Sequence, residues 1–251
     1  MAADRPIQLS QHGTEGRLWA ALLDVADAQP EGWTLIGALM VMLHAHDAGI
    51  DARRTTVDAD ALADVRGVAH ATRRLVATLD RLSWEMHPDH PKADDIGFRF
   101  VKDGLLFDVL APDGLGERTD ITTVPPLKTV PMTGGSRAMS RTIVRDVVLG
   151  ERVGLLPVPD LLGAVVIKSR AAAADRTSTS DPSHRPERHL EDLAVLYACV
   201  ADLPALEADV TRSDRKALRD APEPHWHALD PNLRPQAQAA YRYLAGASGG
   251  P

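Results

Sequence analysis

RRTTVDAD, residues 53–60, and LLFDVL, residues 105–110, decide how the chain folds. On an extended backbone alternate residues share a face, so Arg54, Thr56, Asp58 and Asp60 project one way and Arg53, Thr55, Val57 and Ala59 the other. Two carboxylates so close together repel unless a cation lies between them. Asp108 stands in the middle of an apolar run whose neighbours expect burial. An unpaired carboxylate there would be costly and would raise its own pKa rather than stay ionised, so it needs a partner.

Two partners are available. FRFVKDGLLFDVL (residues 98–110) is the clearest hairpin in the sequence, with two apolar runs flanking Asp103-Gly104, a pair favoured in tight two-residue turns. That turn sets Arg99 opposite Asp108, so an arginine can neutralise the carboxylate. Alternatively, Asp58, Asp60 and Asp108 share a magnesium ion, since a few hard oxygen ligands, completed by water and phosphate, are what Mg2+ takes at phosphoryl-transfer sites. The plain reading of an isolated D-x-D is a strand end with solvated aspartates. A calcium loop is excluded, because Leu62, Ala63 and Ala69 stand where it requires an acid or Asn, a glycine and a glutamate.

Upstream, GRLWAALLDVADA repeats apolar residues at Leu18, Leu22, Val25 and Ala26, the spacing of an amphipathic helix. GWTLIGALMVMLHAHDAG predicts a strand over Trp33–Ile36, a glycine turn and a helix closed by Gly49. Residues 68–83 return to helical spacing through Leu75, Leu79 and Leu82. Residues 112–158 read as sheet and loops, with TIVRDVVL as a strand and a turn at Gly134–Ser136. From Asp160 the pattern is helical, and DRTSTSDPSHR separates two helices as a polar loop. The fold class is therefore α+β: a mixed sheet with helices over residues 1–158, followed by a helical C-terminal domain over residues 159–251.

With 251 residues, 44% of them hydrophobic, the chain can bury a sizeable core. The net charge of -7 excludes a polycation that coats nucleic acid by charge alone. One cysteine excludes an internal disulfide framework and a cysteine-based zinc cluster. No secretion signal is visible, and the longest apolar run is far below the roughly 20 residues that span a bilayer, so a cytoplasmic protein without a membrane partner is expected.

A strand ending at Gly37-Ala38, a helix beginning there, a D-x-D strand about 20 residues later and a third aspartate on a further strand form an ordered set. In this order the sequence resembles the minimal nucleotidyltransferase superfamily, and within it the AbiEii-type (MenT-like) nucleotidyltransferases of bacterial toxin–antitoxin systems. WTLIGALMVMLH with the following R-x-T-x-D-x-D is similar to that family's first motif, and LLFDVLAPDG to the strand with its third carboxylate. VVIKSRAAAADR and RHLEDLAVL are similar to its lysine-bearing helix and a later helix with an aspartate. The likeness spans roughly residues 30–200 in outline.

The resemblance implies a nucleotidyltransferase-like fold in which Asp58, Asp60 and Asp108 are catalytic and hold Mg2+, or Mn2+, while Gly37 and Ala38 let a helix start approach the triphosphate of an NTP. It implies nucleotide contacts from Arg54, Thr56, Lys168 and Asp192, transfer of NMP to an acceptor hydroxyl such as a tRNA 3' end, and an antitoxin partner. Beside these stand local readings: Arg54 in a structural salt bridge, Lys168 snorkelling from an apolar row shared with Leu161, Val165 and Ala172, and Asp192 favoured by a helix dipole. A catalytically degenerate fold kept as a binding module is the competing function. Ala38 replaces a second small residue that is often glycine or serine in the family, and Arg188 and His189 stand where relatives often have lysine.

Other groups carry less. His44 and His46 sit two apart on a helix and diverge. His225 and His227 flank Trp226 in a proline-rich loop and read as structural. The Gly134–Ser136 turn offers a phosphate cradle, and Arg176, His184, Arg185 and Arg188 form a mixed-charge loop without interleaved aromatic residues.

Overall fold

A computed structural model describes residues 5–52, 56–88, 95–175 and 187–246. In chain order the first half runs β1 (Ile7–Gln8), α1 (Gly13–Ala28), β2 (Trp33–Ile36), α2 (Gly37–Asp47), β3 (Asp58–Ala63), α3 (Ala71–Arg81), β4 (Glu85–Met86), β5 (Arg99–Lys102) and β6 (Leu105–Pro112). It continues through β7 (Pro131–Met132), α4 (Gly135–Ser140), β8 (Thr142–Leu149) and β9 (Arg152–Pro159). Helices follow: α5 (Leu161–Asp175), α6 (Glu187–Ala198), α7 (Leu203–Ala208), α8 (Arg212–Asp220) and α9 (Arg234–Leu244). The architecture is α+β with a mixed sheet and a C-terminal helical stretch. No helix among the described residues is long and apolar enough to cross a membrane.

The larger sheet has the order β2-β3-β6-β5-β4, with β7 joined to β6. β3 pairs with β2 antiparallel and with β6 parallel, which makes β3 and β6 its centre. One face of both strands is sealed, with Ala59, Ala61, Phe107 and Val109 almost fully enclosed, while Asp58, Asp60 and Leu106 on the other face are half-buried. The hairpin forms as its turn chemistry dictates: Asp103 and Gly104 both adopt positive φ, 50° and 75°, and Arg99 registers with Asp108. The helix over α3 begins three residues later than its apolar spacing suggests, after His70 in a left-handed conformation.

The second sheet, β1-β8-β9, corrects the reading of residues 112–158. Arg152–Pro159 is a full strand opposite β8 although it contains Pro157 and Pro159. Proline is tolerated because β9 is an edge strand and lacks a second partner that would need its N–H. Gly134, at φ 86°, is the N-cap of α4 rather than part of an isolated turn.

The helices lie against the sheets. α5 packs on α4, α6 and α8, while α2 contacts both α5 and α6. Buried side chains from both halves, including Leu39, Leu62, Phe107, Val165 and Leu196, form a single apolar cluster. Polar links support it. Arg137 on α4 holds both carboxylate oxygens of Asp214 on α8, at 3.0 and 2.5 Å, and Asp214 also closes a capping box with Thr211.

His44 on α2 is buried, and its Nε2 lies 3.0 Å from the carbonyl of Pro159 at the end of β9. Burial pushes its pKa down from 6.5 to about 4, against the raising effect of that carbonyl. The folded protein therefore refuses a proton that the unfolded chain takes up below 6.5, and stability falls as pH drops from 6.5 towards 4. The expected loss from this one group is on the order of 3 kcal/mol. His44→Gln should flatten that part of the curve in urea melts between pH 7 and pH 4.5, and an unchanged slope would show that His44 is protonated in the fold.

Candidate active site

The parallel pairing of β3 and β6 sets Asp60 in register with Asp108 and Asp58 with Leu106. Because side chains alternate, Asp58 and Asp60 share a face, and register partners in a sheet also share one, so all three aspartates stand on the same side. Thr56 lies just before the strand, and its Oγ1 accepts the N–H of Asp58 at 3.2 Å, which fixes the chain as it enters β3. Arg54, expected on the same face, lies outside the described residues, as do Arg176, His184 and Arg185.

Gly37 follows β2 and opens α2 with φ 72°. A Cβ at this position would lie 1.8 Å from Oδ2 of Asp60, so the aspartate occupies the space that a side chain would need. Glycine is demanded twice, by the left-handed backbone and by the carboxylate lying over it. Ala38 is buried in the first turn of α2.

Burial, reinforced by the charges of Asp108 and Asp58, raises the pKa of Asp60 from 3.8 to about 7. Lys168 and Arg99 act in the opposite direction. Asp108 is 5% exposed and is gripped side-on by Arg99, whose Nε–H donates to Oδ1 at 2.8 Å and Nη2 to Oδ2 at 2.7 Å. This fork holds the guanidinium pKa above its ordinary value. Arg99, the arginine partner expected for Asp108, approaches it from β5, on the far side of β6 from β3.

Lys168 does not snorkel. It is 5% exposed on α5, and its Nζ lies 2.7 Å from Oδ2 of Asp192, itself buried on α6. A lysine in an apolar row has nowhere wet to reach here, because α6 covers that face of α5. Asp192 is the sixth residue of α6, too far along for the helix dipole to be its reason, and it pairs with Lys168. Arg188 is exposed and His189 lies 3.4 Å from Asp175.

The Gly134–Ser136 cradle is already filled from within. Asp113 accepts the N–H groups of Gly134 at 2.8 Å and Ser136 at 2.9 Å. Burial would raise the pKa of Asp113, but these donors outweigh it and hold the carboxyl below its ordinary value.

Among the described residues, one set of three metal-capable side chains brings its ligand atoms within 4.8 Å of one another, and it is Glu191, His225 and His227, not the aspartate triad. The histidines read as structural in the sequence, because the helix that supplies the third ligand is remote in the chain. The pair of histidines two positions apart was the available signal, and a 3-10 turn over Trp226–Ala228 brings their rings together. In comparisons with known proteins, no family model and no curated protein matches the chain.

The raised pKa of Asp60 has a sign that can be checked in metal-free protein. The folded state keeps a proton that the unfolded chain releases above about pH 4, so stability declines as pH rises from 4 to about 7 and the contribution is gone above that. Asp60→Asn, which keeps the shape without the charge, should raise the melting temperature at pH 8 in EDTA and leave it nearly unchanged at pH 4. An equal effect at both values would place Asp60 in a fully hydrated setting.

Proposed function

We propose that the chain is a magnesium-dependent nucleotidyltransferase that moves NMP from an NTP to an acceptor hydroxyl, with a tRNA 3' end as the acceptor and growth arrest under antitoxin control as its setting. The observation that carries this reading is the carboxylate of Asp60 lying over Gly37 at the start of α2, in register with Asp108. It combines a helix N-terminus, which favours triphosphate oxygens, with carboxylates on one sheet face, which favour a hard cation.

The residues fit such an ion in kind. Asp58, Asp60 and Asp108 supply only oxygen donors, and burial with mutual repulsion raises the pKa of Asp60, so a cation that relieved this charge would bind with gain. Bound by them, Mg2+ would lower the pKa of an attacking hydroxyl and neutralise the leaving pyrophosphate. The protein's own part is positional. Gly37 and Ala38 add no bulk at the entrance to α2, which leaves room there for the Asp60 carboxylate and, beside it, for phosphate oxygens to approach the helix start. Arg99 orients Asp108, and Lys168, held by Asp192, sets a fixed positive charge beside Asp60.

A second reading rests on the same arginine. With both oxygens of Asp108 engaged, the chain also fits a nucleotidyltransferase-like domain kept as a binding module. The two are separated by incubating the full chain with Mg2+, each labelled NTP in turn and total tRNA. The enzyme transfers label to RNA, and Asp58→Ala and Asp108→Ala reduce transfer to background while the variants stay folded. No transfer with any nucleotide sinks the catalytic reading and leaves the module, and transfer that survives both substitutions removes Asp58 and Asp108 from the catalytic machinery.

A further inference from the structure

We propose that Glu191, His225 and His227 form a binding site for a divalent transition metal of the Zn2+ type, which ties the segment between α8 and α9 to α6. One ligand atom from each residue lies within 4.8 Å of the other two. Four-coordinate zinc, with bonds of about 2.0–2.2 Å to nitrogen and oxygen, sets its ligand atoms roughly 3.4 Å apart, so the three need close only by rotamer adjustment. Two imidazoles and one carboxylate select Zn2+, Co2+ or Ni2+ over Mg2+ and Ca2+, which prefer all-oxygen sets. Three protein ligands leave a fourth position for water.

The backbone beneath the site is held independently of any metal. His225 precedes a short 3-10 helix, Trp226–Ala228, and its N–H donates to the carbonyl of Leu190 at 3.1 Å, next to Glu191. Trp226 turns inward against Tyr197 of α6 and Tyr241 of α9, with ring centroids 6.4 and 5.6 Å away. Tyr197 and Tyr241 meet edge-on at 5.4 Å. With Trp226 held by this aromatic triangle, the imidazoles on either side of it lie together, their centroids 5.1 Å apart. Glu191 and His225 are half-buried and His227 is exposed, so an ion can enter from solvent. The site is distinct from the aspartates of the β3–β6 face: Asp192 points into the core towards Lys168, whereas Glu191, one position before it, lies at the surface.

The test uses the metal-free full chain, titrated with Zn2+ by calorimetry and with Co2+ by visible absorption. Wild type and Asp58→Ala should each take up one Zn2+ and give the intense Co2+ spectrum of a four-coordinate site. Loss of an outer-shell partner alone weakens a metal by about 10–100-fold. Glu191→Gln should therefore bind Zn2+ at least about tenfold more weakly, and the double variant His225→Ala, His227→Ala should show neither uptake nor spectrum. His227→Gln, conservative and exposed, provides the same reading should the double variant be destabilised. The proposal is overturned if wild type takes up no Zn2+, if the histidine variants bind like wild type, or if Asp58→Ala is the change that abolishes uptake.

Discussion

Two carboxylates in register on neighbouring central strands are the constraint around which this structure is organised. Parallel strands lie about 4.8 Å apart, so Asp60 and Asp108 cannot escape each other's field by moving along the sheet. The surrounding chain answers with two cations delivered from different elements. Arg99 comes from the adjoining strand by way of the hairpin turn, and Lys168 comes from α5. Each answer differs in geometry: the arginine forks both oxygens of Asp108, whereas the lysine acts on Asp60 as a nearby charge while its ammonium pairs with Asp192.

Burial and the neighbouring aspartates Asp108 and Asp58 raise the pKa of Asp60 against the lowering effect of Lys168 and Arg99, so together they outweigh both cations. The space for this carboxylate exists only because residue 37 has no side chain, so the glycine and the aspartate are one structural decision made by two distant positions.

What could be read from the sequence was local in origin. Period-two alternation put Asp58 and Asp60 on one side, and the Asp103-Gly104 turn fixed Arg99 against Asp108, because each depends on residues a few positions apart. The strand Trp33–Ile36 and the helix after it followed from apolar spacing in the same way. Long-range pairings were not legible. Nothing near Lys168 in the sequence announces Asp192, nothing near Gly134 announces that Asp113 will fill the turn, and Glu191 gives no sign of the histidines more than thirty residues on. Strand β9 was hidden for a different reason, since its prolines argue against a strand until its edge position is known.

The helical C-terminal stretch belongs to the architecture of the aspartate face. A buried lysine and aspartate gain from each other only while both are enclosed with good geometry, and removing either leaves the remaining charge in a medium that cannot solvate it. Lys168 sits on α5 and its counter-ion on α6, so the positive charge beside Asp60 depends on the packing of those two helices. α6 in turn is clamped by Tyr197 against the rings of Trp226 and Tyr241. The electrostatics of the central strands are therefore set partly by an aromatic contact formed by residues near the end of the chain, and the sheet with its hairpin would not reproduce them alone.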